Sequence, residues 1–123
     1  MSKEAIVIRM EAKHDKAKEL ELFLKAKVEE VTTEQGTNSW YLLKVSEVAF
    51  SIFASFSSEE SAKAYLTGAA LKSIFAKAPD LMTKDPLVAP LELMASKIGD
   101  KVTIAPETPL GTRRYNLRFI DGL

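Results

Sequence analysis

Residues 38–56 read NSWYLLKVSEVAFSIFASF, two runs of alternating side chains set back to back with helical spacing on either side. A period of two puts successive side chains on opposite faces of an extended strand. Tyr41, Leu43 and Val45 alternate with Trp40, Leu42 and Lys44. Phe50, Ile52, Ala54 and Phe56 then alternate with Ala49, Ser51, Phe53 and Ser55. Strands this close in sequence form a hairpin, because parallel neighbours need a long crossover. With Ser46-Glu47 as the turn, Tyr41 lies opposite Ile52 and Leu43 opposite Phe50. Neither turn residue is the glycine or asparagine that two-residue hairpins favour.

The flanks set the architecture. Upstream, AIVIRMEA (5–12) puts Ile6, Ile8 and Met10 on one face of a strand and Val7, Arg9 and Glu11 on the other. Asp15 is placed to cap a helix carrying Leu20, Phe23, Leu24, Val28 and Val31, and Gly36 is a natural stop. Downstream, Ser57 and Glu60 have the spacing of a capping box, followed by Ala62, Tyr65, Leu66 and Ala69. Gly68 divides that helix from a second piece with Leu71, Ile74 and Phe75. Pro79 and Pro86 bracket a loop. The run 87–97 then places Leu87, Ala89, Leu91 and Leu93 on one face of a last strand, with Val88, Glu92 and Met94 on the other.

Strand, helix, strand, strand, helix, strand is the order of a ferredoxin-like α+β domain with an antiparallel sheet. Helices cover one sheet face. The other is expected to carry Val7, Trp40, Leu42, Phe53, Val88 and Met94 beside Arg9 and Glu92. That is too apolar to leave wet, so a second copy of the sheet is the expected cover and the protein is expected to be a homodimer.

Composition removes several functions. Seventeen basic residues balance seventeen acidic ones with no stripe of either sign, so nucleic acid is not an expected partner. The absence of cysteine excludes disulfides, thiolate nucleophiles and cysteine-based zinc or iron–sulfur sites. No Gly-x-Gly and no Gly-Lys-Ser/Thr occurs, which removes the dinucleotide and P-loop fingerprints. The first residues, MSKEAIVIRM, do not make a signal peptide, and no apolar run approaches the ~20 residues that span a bilayer. A soluble cytoplasmic protein is expected, with no metal and no cofactor.

Few residues remain as candidates for chemistry. His14-Asp15 sits at a strand-to-helix turn without a nucleophile and reads as a surface histidine beside a cap. Arg9 and Glu92 fall on neighbouring strands and read as a structural pair at the dimer interface. The aromatic cluster is either core or core enclosing a pocket. Tyr41 and Tyr65 bring hydroxyls to the helix-facing side, where a buried hydroxyl needs a partner. Small residues (Ala54, Ala62, Ala69) share that side. Core packing alone is the stronger reading of the residues. If the core also encloses a closed pocket for a small aromatic molecule, Tyr41, Ile52, Phe56 and Tyr65 are expected as its substrate-binding set.

The segments IVIRMEAK, LELFL, EQGTNSWYLL, FSIFASFSSEESAKAYLTG and KDPLVAPLELMASK, in this order, resemble the antibiotic biosynthesis monooxygenase family, which includes quinol and anthrone monooxygenases. The likeness covers about residues 4–97 and is most specific in EQGTNSWY and FSSEESA. It implies a dimeric α+β barrel with its site in such a pocket, and oxygenation of a quinol-like or polycyclic phenol by O₂ without metal or flavin. The alternative is a non-catalytic small-molecule-binding dimer of the same fold. The resemblance also implies an Asn on the third strand, a Trp four residues later and often a His on the following helix. Ile52, Phe56 and Tyr65 stand at those places, so the catalytic residues are unknown.

The likeness leaves residues 98–123 as a C-terminal arm beyond a domain of residues 1–97. Gly99-Asp100 ends the fourth strand, and Pro106 and Pro109 keep the chain extended. RRYNLRFI (113–120) alternates like a strand, expected to lie on the dimer partner.

Overall fold

The computed structural model of the protein describes residues 4–104. The chain runs through β1 (Glu4–Glu11), α1 (Ala17–Val31), β2 (Thr37–Lys44), β3 (Ala49–Phe56), α2 (Glu59–Leu66), α3 (Ala69–Leu81) and β4 (Leu87–Glu92). Two short strands follow, β5 (Ala95–Ile98) and β6 (Lys101–Ile104). The first four strands form one antiparallel sheet in the order β2-β3-β1-β4, the ferredoxin-like α+β arrangement. The expected strand over 113–120 lies outside the described residues.

Alternation in β1 and β3 works as the sequence implies. Ile6, Ile8 and Met10 stand beside Ala54, Ile52 and Phe50 in the ladder, and all six are buried against the helices. Leu20 and Leu24 of α1 and Leu71 and Ile74 of α3 close over them. Burial of side chains this size contributes about 1.5–3 kcal/mol each. Lys27 of α1 is a charged residue buried beside them. Its ammonium lies 4.5 Å from the Phe23 ring centroid, donates to Ser73 Oγ at 2.8 Å across to α3, and pairs with Glu30.

The β2–β3 register differs from expectation by one residue. Tyr41 stands opposite Phe53, Leu42 opposite Ile52 and Leu43 opposite Ser51. The connection is Val45–Val48 rather than two residues. Val45 N–H and Ser46 N–H both donate to Ala49 O, and Ser46 Oγ accepts from Ala49 N–H at 3.1 Å. No residue of this connection has a positive φ, so it is not one of the tight turns that need one. A one-residue slip moves every side chain to the other face. Trp40 and Leu42 therefore pack toward the core, while Tyr41 and Leu43 face outward.

The same inversion affects β4. Val88 and Pro90 stand beside Ile8 and Ile6 on the helix side, and Leu87, Ala89 and Leu91 share the open face. LVAPLEL is apolar at both phases, so its pattern does not choose a face. The choice comes from tethers at the strand's entrance, where Thr83 N–H donates to Glu11 O and Met82 bridges to Ala12. Trp40, Leu42, Val88 and Glu92 thus leave the expected open face. Val7, Arg9 and Phe53 remain on it, joined by Tyr41, Leu43 and Leu87.

Local signals were displaced by small amounts. Asp15 is exposed in the turn before α1, whose N-cap is Lys16 with no side-chain cap. Helix α2 is capped by Ser58, which accepts from Ser61 N–H at 3.1 Å; Ser57 N–H is already bonded to Gly36 O. Gly36 lies beyond the end of α1, at φ 90° in the turn into β2. Gly68 does separate the helices, as N-cap of α3. Pro79 lies inside the last turn of α3 rather than in a loop. The expected strand 87–97 stops at Glu92. Residues 95–104 form a separate hairpin around Gly99, so the boundary expected after Lys97 falls within a strand.

Candidate functional site

Three of the four expected site residues meet. Phe56 and Tyr65 rings lie 5.4 Å apart at 47°, and Ile52 belongs to the same buried cluster. Leu24 and Ile74, both fully buried, occupy that interior with them. The expected closed pocket is therefore taken up by side chains on this side of the sheet. Val28, whose spacing also put it on this face, is 44% exposed. Tyr41 is not part of the group. It is 54% exposed on the opposite face, with its ring 6.3 Å from Phe53, as the register requires.

Trp40, which the expected register hid, and Glu34, from the turn before β2, replace it. Trp40 Nε1 donates to the Tyr65 hydroxyl at 3.3 Å from β2 to α2. Glu34, in the turn between α1 and β2, adds its field to the same hydroxyl. Burial pushes the Tyr65 hydroxyl above its ordinary pKa; the bond from Trp40 works the other way, and Glu34 raises it again. Burial, then the charge of Glu30, raises Glu34 above the usual carboxylate range. A Cβ at Gly68 would lie 2.9 Å from Ala64 O, which is too close, and 3.5 Å from Glu34 Oε2, an ordinary contact. The corner offers a neutral hydroxyl that can donate and a carboxylate made more basic. A hairpin read with a four-residue turn would have revealed Trp40.

The other candidates disperse. Arg9 stands opposite Leu87 and Ser51, whereas Glu92 stands opposite Glu4 at the far end and on the other face, so they are not the interface pair expected. Both are engaged within the protein. His14 and Asp15 are exposed in a turn. Among the described residues no group of three His, Asp or Glu is placed to hold a metal.

A cleft of about 410 Å³ opens instead at the other end of the sheet, between the β2–β3 turn and the α3–β4 loop. Arg9, Glu11, Lys84 and Asp85 give it charge; Met10, Val48, Ala49, Pro86 and Leu87 give it apolar walls. Sequence reading missed it because its residues come from three separate segments with no shared motif.

No protein-family model matches the chain, and no curated protein matches it. Solved structures do. A protein of unknown function from Nitrosomonas europaea is 32% identical, with a TM-score of 0.76, over 80% of this chain and 95% of that one. A candidate antibiotic biosynthesis monooxygenase from the same organism superposes at a TM-score of 0.64 with 14% identity, over 72% and 88%. A second, from Caulobacter crescentus, gives 0.62 with 19% identity, over 73% and 88%. The chain shares the α+β fold of these candidate antibiotic biosynthesis monooxygenases.

Within this monooxygenase-like fold, Ile52 and Phe56 are fully buried apolar residues, and the polar functions near them are Tyr65 and Trp40. No described helix is long and apolar enough to cross a membrane.

Proposed function

We propose that the protein is a cofactor-independent monooxygenase for a quinol-like or polycyclic phenolic small molecule, acting as a homodimer. The observation that carries this reading is the buried Tyr65 hydroxyl, held by Trp40 and neighboured by Glu34, in a fold shared with candidate monooxygenases. Glu34 takes the phenol proton, and Tyr65 donates to the phenolate oxygen. Ile52 and Phe56 form the apolar wall that keeps water from the reacting carbon. The phenolate passes an electron to O₂ and the two recombine at carbon. In an anthrone a CH₂ becomes C=O, and in a quinol a ring C–H becomes C–OH as the ring goes to the quinone; each gives up four electrons to O₂, with one oxygen atom kept on carbon and the other leaving as water. Oxygen uptake with a panel of quinols and anthrones tests this. No uptake above the buffer rate with any of them would end the reading.

The filled interior favours a second reading, a non-catalytic small-molecule-binding dimer of the same fold. Leu24 and Ile74 pack against Ile52 and Phe56, so entry of a ring system requires side chains to move. A thermal-shift screen with aromatic ligands separates the two, because a ligand bound only by the native state raises its melting temperature. Stabilisation without oxygen uptake supports the second reading.

A further inference from the structure

We propose that the cleft at the β2–β3 turn binds a small zwitterion with an apolar side chain, of the α-amino acid class. Its 410 Å³ lies within the range of small-molecule sites and suits one such molecule with its hydration.

Both rims are fixed before any ligand arrives. On one side Val45 N–H and Ser46 N–H hold Ala49 O, Ser46 Oγ holds Ala49 N–H, and Ala12 N–H donates to Val48 O at 2.7 Å. On the other, Thr83 N–H donates to Glu11 O, Thr83 Oγ1 donates to Glu11 Oε1, and Lys13 N–H donates to Leu81 O. Lys13 Nζ also reaches Pro79 O at 2.6 Å, pinning the end of α3 to the chain leaving β1. A preformed site spends little free energy on ordering its walls.

Charge selects the ligand class. The cleft holds two cations, Arg9 and Lys84, and two anions, Glu11 and Asp85. Arg9 is engaged within the protein and Glu11 accepts from Thr83, which leaves the neighbours Lys84 and Asp85 to meet a ligand. Neither has a side-chain hydrogen bond or ion pair among the described residues. A carboxylate on Lys84 and an ammonium on Asp85 satisfy both at once and keep the cleft neutral. A simple acid or a simple amine satisfies one and leaves the other charge partly desolvated and unpaired. Met10, Val48 and Leu87 then receive the apolar side chain.

Calorimetric titration of the full chain with L-phenylalanine, 3-phenylpropionate and phenethylamine tests the assignment. L-Phenylalanine is expected to bind saturably, with each single-charge analogue at least about tenfold weaker, the factor that one lost charged contact removes. Lys84→Gln and Asp85→Asn should each weaken L-phenylalanine about tenfold without changing the melting temperature, since both side chains are exposed. Tyr65→Phe should leave this binding unchanged, which keeps its failure distinct from failure of the oxygenase reading. No saturable binding of L-phenylalanine, L-leucine or L-methionine up to about 10 mM would overturn the proposal. So would either analogue binding as tightly as L-phenylalanine, or binding indifferent to both loop substitutions.

Discussion

Tyr65 shows how one hydroxyl can be worth more than its ring. Its side chain is buried, its oxygen accepts from the Trp40 indole, and burial keeps its proton on above the ordinary phenolic range. Ionisation thus begins at higher pH in the folded chain than in the unfolded one, which titrates near ~10. The contribution is complete below the unfolded value and is lost as pH rises through the folded one. Tyr65→Phe should cost about 1 kcal/mol at neutral pH by removing the acceptor. It should also flatten the fall in stability above pH ~10, readable by urea unfolding across alkaline buffers. A variant that tracks the parent at every pH would mean the hydroxyl does not carry this term. Glu34 has the same sign at the acid end: its raised carboxyl favours the fold at pH below the ordinary glutamate value, and that advantage is lost toward neutrality. Glu34→Gln should therefore melt slightly higher than the parent at pH 7 and lose that difference near pH 4, in matched thermal scans.

At the scale of elements, the junction of Gly36 with α2 is the least forgiving contact. A Cβ at residue 36 would lie 2.0 Å from Ser61 Oγ and 2.7 Å from Ser61 Cβ, and the backbone there is left-handed. Gly36→Ala should destabilise by about 1–3 kcal/mol, several degrees in melting temperature. Adding Ser61→Gly should recover the clash portion and leave the backbone strain. The sequence disclosed that Gly36 was special but misread the reason, because glycine as a helix stop and glycine as a close approach look identical in one dimension. The same limit explains the strands. β1 has a single greasy phase, Ile6-Ile8-Met10, and its facing was legible. β2 and β4 are apolar in both phases, so their facing rested on the length of one turn and on the tethers at Thr83, neither of which periodicity reports. The order of elements through β4 was readable; the β5–β6 hairpin was not, nor was Trp40 beside Tyr65, which followed from that turn.

At the scale of the whole molecule, the open sheet face is the surface that the proposed homodimer would bury. Tyr41, Leu43 and Leu87 are each about half exposed there beside Val7 and Phe53, and Ser51 Oγ is buried among them with no hydrogen-bond partner among the described residues. If a second copy covers this face, as the proposed homodimer requires, Phe53→Lys places a charge at its centre. Sedimentation should then show a monomer with the circular dichroism of the parent. A dimer that survives Phe53→Lys would place the interface elsewhere.

The four-stranded sheet also ends differently on its two sides. β4 carries Pro90 in mid-strand, and a proline has no N–H to offer a newcomer. β2 at the other side has only an irregularity between Thr37 and Ser39 near its start, and its regular ladder runs on to Lys44. Among the described residues, illicit strand addition, the first step toward fibrils, therefore meets an unpaired edge along β2, while the β4 side is chemically blunted. Under partial unfolding, growth should be polar, and a proline placed in β2 should slow it far more than restoring an N–H at residue 90 speeds it.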